Sequence, residues 1–366
     1  MTAPLPRPTS RERWRSLASN LALAAGSLSF VLVLWLLVEA ALRLFDPRYL
    51  DRFALDDINY LHVYSESYGW VPRSGFRLKL GQGPATTVNP SGYRGPEYPR
   101  ARTPGKRRVV MLGDSIAFGY GVGDNETSSR QLERIDPTLE VVNLAVQGYG
   151  TDQELLRFER EGLRFQPDVV ILNFCLANDF RDNGAERAIY DGVYPKPYFT
   201  LEAGERLVLH EEQLKLSLFE RLFLFLHQRS ILFHELRRLA RPAAAEGRGA
   251  IEHPPARELT IALVQRLAEL ARSHRVRLIV AVYPNYREFL APSRRPGRIL
   301  GAPGLDDVTR ADLRPLLEAR GINARTFWEY SLDTNFHPNA RGHRIVAEVL
   351  AGLIRAPIGA AAHPSR

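Results

Sequence analysis

Short apolar runs recur along the chain between stretches of mixed polarity. Val109-Val110-Met111-Leu112, Val141-Val142-Asn143-Leu144, Val169-Val170-Ile171-Leu172-Asn173-Phe174 and the run Arg277 to Val282 read as strands over 108–113, 140–144, 168–174 and 277–282. Between and after them, longer segments predict helices near 126–135, 151–163, 256–273 and 307–319, and a final helix from Ala340 to Ile354. Strands alternating with helices imply a doubly wound parallel sheet, hence an α/β protein.

The pattern changes in three places. Leu21 to Val38 is uncharged and strongly apolar, and with Ala40-Ala41-Leu42 it is long enough to cross a bilayer. Residues 45–107 are rich in Gly, Pro and Tyr, which predicts a lead-in of a few short strands packed on the domain that follows. Residues 182–255 interrupt the strand and helix alternation. Within them Leu214 to Leu239 is dense in Leu and Phe but broken by Glu220, Arg221, Gln228 and Arg229, so covering helices are expected instead of a second span. A lid or a membrane-resting face is the alternative for this segment. Arg241 to Pro255 reads as a linker. The chain thus divides into a basic tail (1–19), an anchor (20–44), the lead-in (45–107), a core domain (108–356) carrying the insertion, and a disordered tail (357–366).

Charge adds an orientation. Arg7, Arg11, Arg13 and Arg15 precede the apolar run, so the N-terminus is expected in the cytoplasm and everything after about residue 45 outside it. A cleaved signal peptide is the competing reading, disfavoured by Glu39 and by the length of the run. The remainder is globular in composition, with 45% hydrophobic and 25% charged residues and a mean hydropathy of -0.22. Net charge is +8, spread mainly over scattered arginines, which speaks against a nucleic-acid partner. With Cys175 the only cysteine there is no thiolate cluster. His234-Glu235 has Arg238 where a second zinc ligand would stand, and no Gly-Lys-Ser/Thr follows Gly119-Tyr120-Gly121. Neither a metal nor a cofactor is expected.

Candidate chemistry sits at the ends of the strands. Gly113-Asp114-Ser115 closes the first, where a serine is presented at the carboxyl edge of a parallel sheet. Gly148 follows the second and can offer a backbone N–H; Asn178 follows the third and can offer a side-chain amide. His337, before Pro338 and the last helix, stands at a helix entrance. Asp114 and Asp179 read as residues that fix turns, and His343 as a packing or capping residue.

In order and context these blocks resemble the SGNH (GDSL-type) hydrolases, serine esterases and acyltransferases named for Ser, Gly, Asn and His, here Ser115, Gly148, Asn178 and His337. The resemblance extends over residues 65 to 355, from Ser91-Gly92-Tyr93-Arg94-Gly95 to Gly342-His343, with a divergent middle. It implies a flavodoxin-like sheet. It also implies an oxyanion hole of the Ser115 and Gly148 amides and the Asn178 side chain. Ser115 would attack an acyl carbonyl, His337 would take its proton, and a carboxylate would orient the imidazole. The family usually has that acid three residues before the histidine; Thr334 occupies that place here and Asp333 stands one earlier, so the role falls to Asp333, to some other acid, or to none. Location and family suggest an ester of a cell-envelope or extracellular molecule, such as an O-acetylated polysaccharide, handled by an esterase or an O-acyltransferase. A binding protein that retains the fold without the reaction is the alternative.

Overall fold

The computed structural model describes residues 10–45, 61–79, 85–188, 194–202, 206–240, 254–357 and 361–362. Residues 1–9 of the expected basic tail, most of the linker and most of the C-terminal tail lie outside that set.

Helix α1 (Ser10–Phe45) is followed by two antiparallel hairpins, β1 (His62–Ser65) with β2 (Gly69–Pro72) and β3 (Arg77–Lys79) with β4 (Ala85–Thr87). The core begins with β5 (Arg107–Gly113), helices α2 (Ser115–Phe118) and α3 (Ser128–Ile135), and β6 (Leu139–Asn143). It continues through α4 (Thr151–Arg160), β7 (Val169–Cys175) and α5 (Asp179–Asp182). A third hairpin, β8 (Tyr198–Glu202) with β9 (Arg206–His210), leads to α6 (Leu218–Arg229) and α7 (Ile231–Ala240). The chain then runs through α8 (Pro254–Ser273), β10 (Arg277–Tyr283), α9 (Tyr286–Leu290), α10 (Arg295–Leu300), β11 (Thr309–Asp312), α11 (Leu313–Glu318), α12 (Ala340–Arg355) and β12 (Ala361–Ala362).

The central sheet has the order β6-β5-β7-β10-β11-β12, and its pairs are parallel. Both faces of β5, β6, β7 and β10 are buried, which is why these four are written as largely apolar runs. Val110, Leu112, Val142, Leu172 and Val280 pack with Leu155 of α4 and Leu263 of α8 on one face. Val109, Met111, Val141, Ile171 and Ile279 pack with Leu132 of α3 and Val346 and Leu350 of α12 on the other. Counting from β5, this is the 2-1-3-4-5 order of the flavodoxin-like arrangement, extended by one short strand. Its crevice opens where the order reverses, between the carboxyl ends of β5 and β7.

Two expectations need correction. The helix expected over 307–319 begins only at Leu313, with the Asp312 side chain accepting from the Arg314 amide as its cap. Its first residues, Thr309-Arg310-Ala311-Asp312, form β11 instead. Only Thr309 and Ala311 are buried there, so no apolar run marked the strand; pairing with β10 decides it. In the tail expected to be disordered, Ala361 and Ala362 pair with Arg310 and Ala311.

The lead-in braces the loops at the carboxyl edge of the sheet. Trp70 of β2 is fully buried, and its indole N–H donates to the Gln147 carbonyl at 2.9 Å. The Tyr149 hydroxyl returns a bond to the Trp70 carbonyl at 2.5 Å. The loop carrying Gly148, which has φ +78°, is therefore held from both sides by a segment outside the sheet.

Candidate active site

Gly113 ends β5 at φ +150°, with Ala117 and Asn173 so close that a Cβ would stand 2.6 and 3.1 Å from their Cβ atoms. Asp114 then caps α2 by accepting from the Ile116 amide at 2.9 Å. These two constraints fix the Ser115 backbone as the chain leaves the strand, and Ser115 itself is buried, at 8% exposed. Its Oγ lies 2.7 Å from His337 Nε2.

His337 Nδ1 lies 2.5 Å from Asp333 Oδ2. An ionised carboxylate only accepts, so Nδ1 carries the proton and Nε2 is left to accept from the serine hydroxyl. Burial alone would raise the Asp333 carboxyl, but the hydrogen bond and charge of His337, with the His337 and Asn335 amides, outweigh it and hold the group below its ordinary value. Those amides both meet Oδ1, at 3.3 and 2.9 Å.

The local backbone explains how an acid four residues before the histidine reaches it. Phe336 takes φ +65°, a left-handed conformation rare for an aromatic residue. Its ring is fully buried, 5.6 Å from Phe327 and 6.1 Å from Phe289. Core packing thus holds the one residue that turns the chain back, and the additional position is absorbed between Asp333 and His337.

The amides of Ser115 and Gly148 meet no acceptor among the described residues. Asn178, at the end of β7, stands at the entrance of α5, yet its side chain does not cap that helix. Its Nδ2 donates instead to Asp182 Oδ2 at 2.9 Å. A carboxylate there demands nitrogen and not oxygen, which sets the amide's orientation, and the Asp114 carboxyl is a second hydrogen-bond partner of the same amide.

The structure therefore brings Ser115, His337 and Asp333 into one hydrogen-bonded chain and sets Gly148 and Asn178 on the neighbouring β6 and β7 loops. Asp179 accepts from the Cys175 amide at 2.8 Å, and His343 Nδ1 from the Ser128 amide at 3.1 Å, both as fold residues. Among the described residues no cluster of His, Cys, Asp and Glu is arranged to hold a metal ion.

A model of the GDSL-like lipase/acylhydrolase family matches residues 111–345. The chain belongs to that family. Similar solved structures include a GDSL-like lipase from Bacteroides thetaiotaomicron, at 14% identity and TM-score 0.37, covering 69% of this chain and 89% of that one. An acetylxylan esterase from Geobacillus stearothermophilus, studied as a catalytic mutant, is 13% identical at TM-score 0.39, covering 69% and 95%. A psychrotrophic esterase from Pseudoalteromonas, inhibited by monoethylphosphonate, is 11% identical at TM-score 0.38, covering 68% and 97%. No curated protein sequence matches the chain.

The family motifs do not mention the residues behind them. Lys196, from the insertion, is buried and joins Asp152 at 2.7 Å and the Asp182 carbonyl at 2.6 Å. Burial raises Asp152 to about 6 against the pull of Lys196. Burial also raises Asp182, opposed first by Arg181. Glu154 and Asp179 are pushed well up by burial and by the carboxylates around them. Tyr120, whose amide donates to the Ser115 carbonyl at 3.0 Å, sets its ring 5.1 Å from that of His337. In the sequence the one available sign of Asp182 was its helical spacing of four from Asn178; Lys196 and Tyr120 left none.

Proposed function

We propose that this family member is a membrane-anchored serine enzyme that cleaves or transfers an acyl group through an acyl-serine intermediate. Ser115 Oγ attacks the acyl carbonyl as its proton passes to His337 Nε2, and Asp333 holds the imidazole and then faces the imidazolium. The carbonyl oxygen, negative in the tetrahedral intermediate, is received by the Ser115 and Gly148 amides and the Asn178 side chain. His337 returns the proton to the leaving alcohol. A water or an acceptor hydroxyl then takes the acyl group from the serine by the same steps reversed. The observation that carries this reading is the unbroken Ser115-His337-Asp333 chain at 2.7 and 2.5 Å.

Support for this placement comes from α1, which is long and apolar enough to cross a membrane, with a mean hydropathy of 2.5 over its most apolar 18 residues. The arginines before it favour a cytoplasmic N-terminus and an extracytoplasmic enzyme. Retention of the helix is favoured by Glu39, because cleavage near it would remove a residue bound to the folded domain: its carboxylate accepts from Ser230 Oγ at 2.9 Å and from the Ile231 and Leu232 amides at 3.0 Å each. The substrate class we propose is an ester of an envelope or extracellular molecule, with O-acetylated polysaccharide as the first to try.

The test is a fluorophosphonate reaction on the full chain in detergent, followed by intact mass and peptide mapping. An adduct on Ser115 in the wild type, and none in Ser115→Ala, is expected. A folded wild type that takes no adduct would overturn the enzyme reading in favour of a binding protein. Acyl release measured with and without a saccharide acceptor then separates an esterase from a transferase.

A further inference from the structure

The insertion carries an apolar surface that the reaction does not use. On α6, Leu218 and Phe219 are 85% and 77% exposed, and Leu222 and Phe225 continue the same stripe one and two turns on. On α7, Leu236 and Leu239 are exposed one turn apart. The opposite side of α6 is committed to the fold, since Leu224 is buried in the cluster on one face of the sheet.

What covers this surface is indicated by where α1 meets it. The uncharged run Leu21 to Val38 spans about 26 Å as a helix, close to the thickness of a bilayer's hydrocarbon. Glu39, the first residue beyond it, binds the Ser230 elbow between α6 and α7, and Arg43, paired with Glu39 at 2.7 Å, donates to the Arg229 carbonyl at 2.6 Å. Trp35 lies 6.4 Å from Phe233. The elbow is therefore pinned at the level where the span leaves the apolar layer, and α6 ends and α7 begins at that level. Arg229, exposed and 5.7 Å from the Phe225 ring, puts a cation at the same boundary, as amphipathic residues at an interface do.

We propose that α6 and α7 form a foot that rests in the outer interfacial layer of the bilayer crossed by α1, with Leu218, Phe219, Leu222, Phe225, Leu236 and Leu239 toward lipid. The proposal rests on reading α1 as a membrane span. The anchor and foot together hold the domain at a set height and tilt, which a single flexible tether would not do.

Full-length variants with one introduced cysteine, Leu28→Cys, Phe219→Cys, Phe225→Cys and Leu290→Cys, are labelled with an environment-sensitive fluorophore and reconstituted in vesicles containing anionic lipid. Wild type, whose Cys175 is buried, gives the labelling blank. Leu28 reports the anchor. Leu290, exposed beside Phe289 on the other face of the sheet, is the reference. Quenching by lipids bearing a nitroxide near the headgroup is expected to be about threefold or more stronger at Phe219 and Phe225 than at Leu290, as for a helix lying in the interface, while Leu28, near the middle of the span, is read with lipids bearing the nitroxide deep in the acyl chain. Quenching at Leu28 with Phe219 and Phe225 no different from Leu290 overturns the foot and leaves the anchor standing. No quenching at any of the four overturns the anchor, and the foot with it.

Discussion

Replacing Asp333 with Asn changes one atom and tests the acid's role through the tautomer of His337. In the wild type, Oδ1 accepts from the Asn335 and His337 amides while Oδ2 faces His337 Nδ1. An asparagine must keep its oxygen toward the two amides, so its nitrogen, a donor, is placed against Nδ1. The imidazole then carries its proton on Nε2 and cannot accept one from Ser115. The lost charge adds to this: an ion pair at about 4 Å contributes ~1 kcal/mol in water and ~4 kcal/mol at a partly buried site. The Asp333 side chain is 39% exposed, so the lower half of that range applies. Together with the wrong tautomer, a loss of about 10³-fold in kcat, near 4 kcal/mol, is expected. The assay is hydrolysis of p-nitrophenyl acetate alongside the fluorophosphonate labelling rate, with circular dichroism to confirm folding. Asp333→Ala, which lets the imidazole choose its tautomer, is expected to be no worse than Asn. An Asn variant within tenfold of wild type would refute both the role of Asp333 and the argument from its two amides.

Further outcomes follow from the same contacts. Asn178→Ala should lower kcat by about 10²-fold or more with KM little changed, and Asp182→Asn, which removes the carboxylate that orients the amide, should lower it less; equal kcat in all three proteins would exclude Asn178 from the oxyanion site. Gly113→Ala places a Cβ against Ala117 and Asn173 at a backbone angle unsuited to it, so a loss of about 1–3 kcal/mol in stability is expected, read as a fall in Tm. His343 is held neutral, its value driven down to about 3 by burial and by the charges of Arg94 and His337. The unfolded chain takes up that proton near pH 6.5, so stability is unaffected above that value and falls by up to about 1.4 kcal/mol per pH unit as the pH drops from there toward 3. His343→Asn, able to accept from the Ser128 amide, should flatten the acid side of the Tm profile, and parallel profiles would count against this assignment.

The elements that determined themselves are those with enough local signal. Strands buried on both faces must be apolar throughout, so β5, β6, β7 and β10 were written in the sequence, as were α1 and the turn that presents Ser115. Ser115 and Asn178 of the candidate site were legible for a related reason: each stands where a strand gives way to a helix, and such junctions have a restricted vocabulary of Gly, Asp, Ser and Asn. What only the tertiary structure decided are meetings between distant segments. Ser115 and His337 are 222 positions apart, and Glu39 and Ser230 are 191. β11 exists because β10 offers it a ladder, not because Thr-Arg-Ala-Asp prefers a strand. Asp333 reaches His337 because a buried Phe336 ring, gripped by Phe327 and Phe289, holds a backbone angle that its own chemistry disfavours. Local propensities are weak, a few tenths of a kcal/mol per residue, and wherever packing or a buried hydrogen bond outweighs them the outcome belongs to the fold as a whole.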